Sequence, residues 1–173
     1  MSLTPLSLQS ASDPAVRRQH YRAVRQGLDV LLDAETDWIA ALSTVACELH
    51  HAFEYFHWTG FYRVIAPELL AVGPYQGGHG CLRIPFSRGV CGAAAREQRS
   101  QLVADVTQRP DHIACSSTTR SEIVVPLVHE GSTIAVLDVD SDEISAFSSV
   151  DQAELEAICG DLCARFGAHQ IAR

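Results

Sequence analysis

The spacing of apolar residues changes twice along this chain, and those changes limit the folds open to it. Between residues 37 and 56, apolar side chains recur every three or four positions, which predicts a helix with one buried face. Residues 58–140 instead contain short β-branched and aromatic runs separated by turn residues, which predicts strands. Helical spacing returns at 155–166. The chain is therefore expected to form a sheet flanked in sequence by helices.

Turn and capping signals divide this pattern into elements. The predicted order is a helix from Asp13-Pro14 to Leu32, a helix from Asp37, a hairpin of Trp58–Ile65 and Leu69–Gly73, a strand at Cys81–Phe86, a helix at Gly89–Gln98, a strand at Gln101–Val103, a hairpin of Ser121–His129 and Thr133–Asp140, and a last helix capped by Ser148. We expect an α+β fold with a central, mostly antiparallel sheet. The N- and C-terminal helices cover one face, and loops form a pocket on the other. Residues 13–173 are predicted to be one domain and residues 1–12 a flexible tail.

Charge and hydropathy exclude several partners. The 173 residues carry a formal net charge of −8, which disfavours binding to a phosphate backbone, so no nucleic acid partner is expected. The chain has no basic amphipathic run, and its longest apolar runs are too short to span a bilayer, so no membrane partner is expected. No signal peptide is evident at the N-terminus, and we expect a cytoplasmic protein.

Six cysteines are then more consistent with reactive thiols, metal ligands or core residues than with a disulfide framework. Cys81, Cys91 and Cys115 fall in or beside the loop-rich middle of the chain. Cys91 begins a predicted helix, a position that stabilises a thiolate and lowers its pKa. Each of the three is also compatible with a small buried hydrophobic residue. The others fit the apolar faces of helices and are interpreted as core residues: Cys47, Cys159 and Cys163.

Carboxyl and aromatic side chains are predicted to share one side of the sheet. Asp138 and Asp140 lie two apart on one strand, and Glu122 lies at a comparable distance from the turn on the adjacent strand. Trp58 and Tyr62 are four apart on the first strand. These residues would form a pocket for a substrate with an amine and a polarised group. The alternatives are that the acids face solvent and that the aromatic rings belong to the hairpin core.

Seven short motifs follow one another between about residues 55 and 160. They are Trp58-Thr59-Gly60-Phe61-Tyr62, Gly73-Pro74-Tyr75-Gln76-Gly77, Arg83-Ile84-Pro85-Phe86, Gly89-Val90-Cys91-Gly92, His112-Ile113-Ala114-Cys115, Ser121-Glu122-Ile123-Val124-Val125-Pro126 and Val136-Leu137-Asp138-Val139-Asp140-Ser141. Together, and in this order, they resemble the free methionine-(R)-sulfoxide reductases, which are stand-alone GAF domains.

The resemblance implies a catalytic role for three thiols. Cys115 matches the nucleophilic cysteine, and Cys81 and Cys91 match two further redox cysteines, one or both of which resolve the intermediate. The implied reaction reduces free L-methionine-(R)-sulfoxide to methionine through sulfenic acid and disulfide intermediates. Thioredoxin is the implied reductant, no metal or organic cofactor is needed, and a homodimer is the implied assembly.

The resemblance also assigns the pocket wall. Glu122, Asp138 and Asp140 match carboxylates that hold the substrate and assist protonation, with Glu122 or Asp140 as the proton donor. Trp58 and Tyr62 match aromatic residues around the substrate methyl group.

The same residues are also compatible with two other functions. The first is a GAF domain that binds a small ligand without turning it over. The second is a metal site, because the middle of the chain is rich in zinc-ligand types, although their spacings match no standard zinc signature. The candidate ligands for it are His79, Cys81, Cys91, His112 and Cys115.

Overall fold

Four α-helices and six strands make up the part of the chain that the computed structural model describes, which is residues 8–10, 12–110, 113 and 115–171, with side chains as far as residue 167. The elements are α1 (Pro14–Leu31), α2 (Trp38–Ala52), β1 (Trp58–Ala66), β2 (Leu69–Gln76), β3 (Arg83–Pro85), α3 (Gly89–Glu97), β4 (Gln101–Val103), a 3-10 turn (Val106–Gln108), β5 (Ser121–His129), β6 (Ser132–Ser141) and α4 (Ser149–Ile171).

The six strands form one sheet in the order β3-β2-β1-β6-β5-β4. Every neighbouring pair is antiparallel. Two hairpins, β1–β2 and β5–β6, meet at the β1–β6 pairing in the middle of the sheet. The predicted α+β architecture with an antiparallel sheet is confirmed.

Helices α1, α2 and α4 pack on one face of the sheet and bury the larger apolar core against inward-facing residues of β1, β5 and β6. Their first turns are capped as the sequence predicts. The Asp13 carboxylate accepts a hydrogen bond from the backbone N–H of Ala15 at 2.8 Å, and the Asp37 carboxylate accepts one from Ala40 at 2.8 Å. Such caps satisfy backbone donors that have no partner within the helix.

The opposite face is covered by α3 as well as by loops, which extends the prediction of loops alone. Three consecutive alanines of α3 are buried there, and small side chains let the helix lie close to the sheet. Gly92 shows how close, because a Cβ at this position would lie 2.6 Å from the backbone oxygen of Pro85. This face carries a second, smaller apolar cluster that includes Trp58, Tyr62 and Cys91.

Two strands differ from the prediction by more than one residue at an end. Strand β2 runs to Gln76 rather than ending at Gly73, because its later residues still pair with the start of β1. Strand β3 is limited to Arg83–Pro85 and does not include Cys81 or Phe86. The side chain of Cys81 is bonded to a distant loop, which draws its backbone out of the ladder.

Within the predicted N-terminal tail, Leu8 pairs with the end of α2. Its backbone N–H donates to the oxygen of Ala52 at 3.0 Å, and its oxygen accepts from the N–H of Glu54 at 2.8 Å. The side chain of Leu8 packs against the larger core. Residues 1–7 and 11 of the predicted tail lie outside the described residues. No helix among the described residues has the length and apolar character needed to cross a membrane.

Candidate active site

Strand register brings the predicted carboxyl and aromatic residues together. Trp58 of β1 lies opposite Asp140 of β6, and Asp140 in turn lies opposite Glu122 of β5. Asp138 lies two residues back along β6, opposite Gly60. Because side chains two apart in a strand point to the same face, the three acids and the tryptophan share one side of the sheet. Asp138 is buried and Asp140 is half-buried in the pocket lining, so the alternative in which this pair faces solvent is wrong. Glu122 is buried as well.

A pocket of about 490 Å³, partly open to solvent, lies over this side of the sheet. Seven of the eight predicted site residues line it, and the eighth, Cys81, is covalently attached to one of the seven. The pocket is also lined by loop residues for which the sequence predicted no place in the wall. These are His79, Gly80, Ile113, Ser116 and Thr119.

The aromatic side of the pocket is a stack of three rings. The Trp58 ring lies between Tyr62, with centroids 5.7 Å apart, and Tyr75, with centroids 5.4 Å apart. The Trp58 indole N–H donates to the backbone oxygen of Gly78 at 3.0 Å, which fixes the ring plane. Trp58 and Tyr62 therefore belong both to the smaller apolar cluster and to the pocket wall. Tyr75, the outer ring, was not predicted from the sequence.

The thiol side of the pocket holds a disulfide between Cys81 and Cys115, whose Cα atoms are 5.4 Å apart. Cys81 follows the glycine-rich loop after β2, and Cys115 lies in the long loop before β5. A bond between two loops 34 residues apart in sequence brings both to the rim of the pocket. The two sulfur atoms are therefore placed as a nucleophilic cysteine and its resolving cysteine would need to be.

The three carboxyl groups have pKa values displaced towards the protonated form. Burial, followed by the charges of Asp138 and Asp140, raises the pKa of Glu122 well above its ordinary value. Burial and the neighbouring Asp138 and Asp142 do the same to the pKa of Asp140. Burial raises the pKa of Asp138 to about 7, although hydrogen bonds with Cys91 and Glu122 oppose the shift. The wall can therefore hold protons near neutral pH, and a bound cation would favour their loss by stabilising the ionised carboxylates.

Cys91 differs from its prediction in the direction of its pKa. It lies in the first turn of α3, as predicted, but burial and the negative charges of Asp138 and Glu122 raise the pKa of its thiol well above the ordinary value. Desolvation in an apolar cluster and nearby carboxylates outweigh the helix N-terminus. Cys91 is therefore a protonated thiol in this structure.

The remaining cysteines are divided between core and surface. Cys159 and Cys163 of α4 are buried in the larger core, which confirms their interpretation as core residues. Cys47 of α2 is half-buried instead, and its Sγ lies 3.8 Å from the Nδ1 atom of His51, one turn further along the helix. The core interpretation of Cys47 is wrong because its side chain lies at the border of the buried face of α2.

The metal set considered from the sequence does not assemble. Cys81 and Cys115 are joined to each other, and His112 lies outside the described residues. Among the described residues, the group whose ligand atoms come together is a different one, Cys91 with Glu122 and Asp138.

The raised carboxyl pKa values lead to a first prediction, that stability falls as the pH rises from about 4 to about 7. In this window Asp138 keeps a proton in the folded chain, whereas in the unfolded chain it has lost it at an ordinary pKa of 3.8. The folded state then binds more protons, so the free energy of unfolding decreases with increasing pH. Urea unfolding of Asp138→Asn is expected to show a shallower dependence over this window. The exposed Asp33→Asn, in the turn after α1, is the control, and an equal flattening in both variants would contradict the assignment to Asp138.

Comparison with known proteins identifies the family. The GAF domain model matches residues 29–163. GAF domain-containing protein A of Dictyostelium discoideum is 41% identical over 142 residues, which cover 82% of this chain and 89% of that protein. The free methionine-R-sulfoxide reductase of Saccharomyces cerevisiae is 39% identical over 135 residues, which cover 74% of this chain and 75% of the yeast protein. The chain belongs to the free methionine-(R)-sulfoxide reductase family of GAF domains.

Solved structures agree with this membership. The free methionine-R-sulfoxide reductase of Neisseria meningitidis, solved in complex with its substrate, superposes with a TM-score of 0.86 at 42% identity and covers 98% of this chain and 99% of that one. The GAF fold expected from the sequence motifs is confirmed. Since free methionine-(R)-sulfoxide reductases are oxidoreductases, the pocket is the candidate active site of an enzyme.

Proposed function

We propose that this chain reduces free L-methionine-(R)-sulfoxide to L-methionine with Cys115 as the nucleophile. The observation that carries the proposal is the placement of Cys115 in the lining of a pocket whose wall holds three acids, of which Glu122 and Asp138 are buried. A sulfoxide reductase needs a nucleophilic sulfur and a proton for the departing oxygen in one place. The family members that share this fold support the same reaction.

The first chemical step transfers the sulfoxide oxygen to Cys115. The Cys115 thiolate attacks the sulfoxide sulfur, and a protonated carboxyl of the wall, Glu122 or Asp140, gives its proton to the oxygen. Methionine leaves with the sulfur reduced, and Cys115 becomes a sulfenic acid. The raised pKa values of Glu122 and Asp140 support this role, because they keep a proton available at neutral pH.

The second step forms a disulfide, with Cys81 as the resolving thiol. The Cys81 sulfur attacks the Cys115 sulfenic acid and releases water, which leaves the bond between Cys81 and Cys115 seen here. Cys91 suits this step less well, because burial and adjacent acids hold it as a thiol rather than a thiolate. Its hydrogen bond with Asp138 gives it a positioning role in the wall instead.

We further propose that thioredoxin reduces this disulfide by exchange, that the protein acts in the cytoplasm and that it forms a homodimer. Cys81 is half-exposed, and the adjacent Leu82 is 71% exposed, which leaves an apolar approach to the bond for a protein reductant. A transient, catalytic disulfide is compatible with a reducing cytoplasm. Sedimentation velocity would test the homodimer.

Selection of the free amino acid is expected to depend on the α-ammonium group. The acids of the wall can ionise and pair with an ammonium, whereas the amide of a peptide-bound methionine sulfoxide leaves buried carboxyl groups without a partner. N-acetyl-methionine-(R)-sulfoxide is expected to lose at least about a hundredfold in kcat/KM relative to the free amino acid. The assay follows the thioether product with dithiothreitol as the reductant.

The methyl ester of methionine-(R)-sulfoxide is the matched control, because it keeps the ammonium and loses only the carboxylate. We expect its kcat/KM to stay well above that of the N-acetyl compound. Equal rates for the free and N-acetylated sulfoxides would contradict the assigned role of the acids. Binding of the free sulfoxide by reduced, folded protein without any turnover would contradict the reductase function and indicate a ligand-binding GAF domain.

A further inference from the structure

Three metal-ligating side chains from three different elements meet in the pocket wall. The Sγ atom of Cys91 and one carboxylate oxygen each of Glu122 and Asp138 all lie within 4.8 Å of one another, and all three residues are buried. The Oδ1 atom of Asp138 has no hydrogen-bond partner among the described residues, although it is shielded from solvent. A buried acceptor in that state costs free energy unless a cation or a donor reaches it.

We propose that Cys91, Glu122 and Asp138 form an inhibitory zinc site. Zn²⁺ accepts thiolate and carboxylate ligands in a tetrahedral arrangement, and a site with three protein ligands keeps one position open. In such a site neighbouring ligand atoms are about 3.6 Å apart, given typical Zn–S and Zn–O bond lengths. The ligand atoms, now within 4.8 Å of one another, would have to move closer together as the ion binds. The protons held by the Cys91 thiol and by the Glu122 and Asp138 carboxyl groups pass to solvent as the bonds to zinc form.

The charges around the three residues favour a dication. Asp140 adds a further ionisable carboxyl group beside the three, which can become negative when a cation binds, and Arg109 is the positive side chain that acts on Glu122. A bound Zn²⁺ would offset the mutual repulsion of the acids in a region where charges are weakly screened. The sulfur ligand selects against Mg²⁺ and Ca²⁺, which prefer sites built entirely from oxygen atoms.

Zinc at this position blocks the pocket. Cys91, Glu122 and Asp138 line the same pocket as Trp58 and Tyr62, so a metal held there would take up the carboxylates that a substrate ammonium would need. Zinc binding itself can be measured without any substrate. A failure to bind zinc can therefore be distinguished from a failure of the proposed reductase activity.

The test uses the full chain in its disulfide form, because Cys81 and Cys115 are then unavailable to the metal. A Cys47→Ser/Cys163→Ser double variant serves as the reference. The two replaced thiols could otherwise bind zinc together with a second ligand one helical turn away. That ligand would be His51 for Cys47 and Cys159 for Cys163. Titration calorimetry with zinc chloride is expected to show one Zn²⁺ per chain. Cobalt chloride is expected to give a thiolate-to-cobalt charge-transfer absorption, and calcium chloride no binding.

Adding Cys91→Ser to the reference is expected to abolish the cobalt absorption and weaken zinc binding by at least about tenfold, since even the loss of a second-shell partner commonly costs that much. Asp138→Asn is expected to weaken zinc binding similarly, whereas the exposed Asp142→Asn leaves it unchanged. Asp138→Asn keeps the test decisive if the Cys91→Ser chain fails to fold. No stoichiometric zinc binding by the reference, or unchanged affinity in the folded site variants, would overturn the proposal.

Discussion

Replacing Cys115 with serine is expected to lower methionine production from free methionine-(R)-sulfoxide by at least about a thousandfold, the scale of loss seen when a covalent nucleophile is removed. A serine hydroxyl is hardly ionised at neutral pH and cannot form the disulfide with Cys81. The measurement is methionine release by the reduced protein, once with dithiothreitol and once with thioredoxin, its reductase and NADPH. Both assays should lose activity, because the change acts before the reductant is used.

Two further cysteine variants separate the chemical steps. Cys81→Ser is expected to release one methionine per chain when no reductant is added, and to lose sustained turnover with thioredoxin, since only resolution is blocked. Cys159→Ser is the matched control, because that thiol is buried in the helical layer on the other side of the sheet. Turnover by Cys115→Ser together with inactivity of Cys91→Ser would assign the nucleophile to Cys91 and contradict the mechanism.

Replacing Asp151 with alanine is expected to destabilise the fold by about 3–5 kcal/mol, the usual cost of breaking a buried ion pair. The Asp151 carboxylate is fully buried at the start of α4 and forms an ion pair with Arg17 of α1. Its oxygens also accept hydrogen bonds from the hydroxyl groups of Tyr21 at 2.9 Å and Tyr55 at 2.7 Å. The Ser148 backbone N–H donates to it at 2.7 Å, so it caps its own helix as well.

Calorimetry should then show a melting temperature about 10 °C lower, given the usual relation between stability and melting temperature for chains of this size. Asp161→Ala is the matched control on the same helix. Asp161 pairs with Arg25 at 3.1 Å but is largely exposed, and exposed pairs contribute less than about 1 kcal/mol. Equal effects of the two changes would show that the buried network contributes little to stability.

The sequence predicts the strands of the site well because period-two alternation is a local property. Asp138 and Asp140 had to share a face once β6 was recognised. The residue of β5 opposite Asp140 does not follow from the turn alone, because an irregularity between Leu127 and Val128 shifts the pairing by one residue before it reaches Glu122. The helix caps at Asp13 and Asp37 were predictable for the same reason, since each cap bond spans only two or three residues.

Features that depend on contacts between distant parts of the chain were not predictable in this way. Arg17 gives no sign in the sequence that it reaches Asp151, which is 134 residues further along. The pKa of Cys91 is set by acids on β5 and β6 and by burial, neither of which follows from its place in a helix. The loop residues His79, Ile113 and Thr119 reach the pocket only because the covering loops fold back over the sheet.

The pocket is built partly from the strands of the sheet and partly from the loops that cover it. The acids and the Trp58 ring are set by backbone hydrogen bonds at the centre of the sheet, whereas Cys81 and Cys115 lie on the covering segments. Making and breaking the disulfide requires movement only in those segments. In the proposed cycle, the half expected to bind the amino acid would then keep one shape through oxidation and reduction, so substitutions could change the affinity for substrate and the redox potential separately.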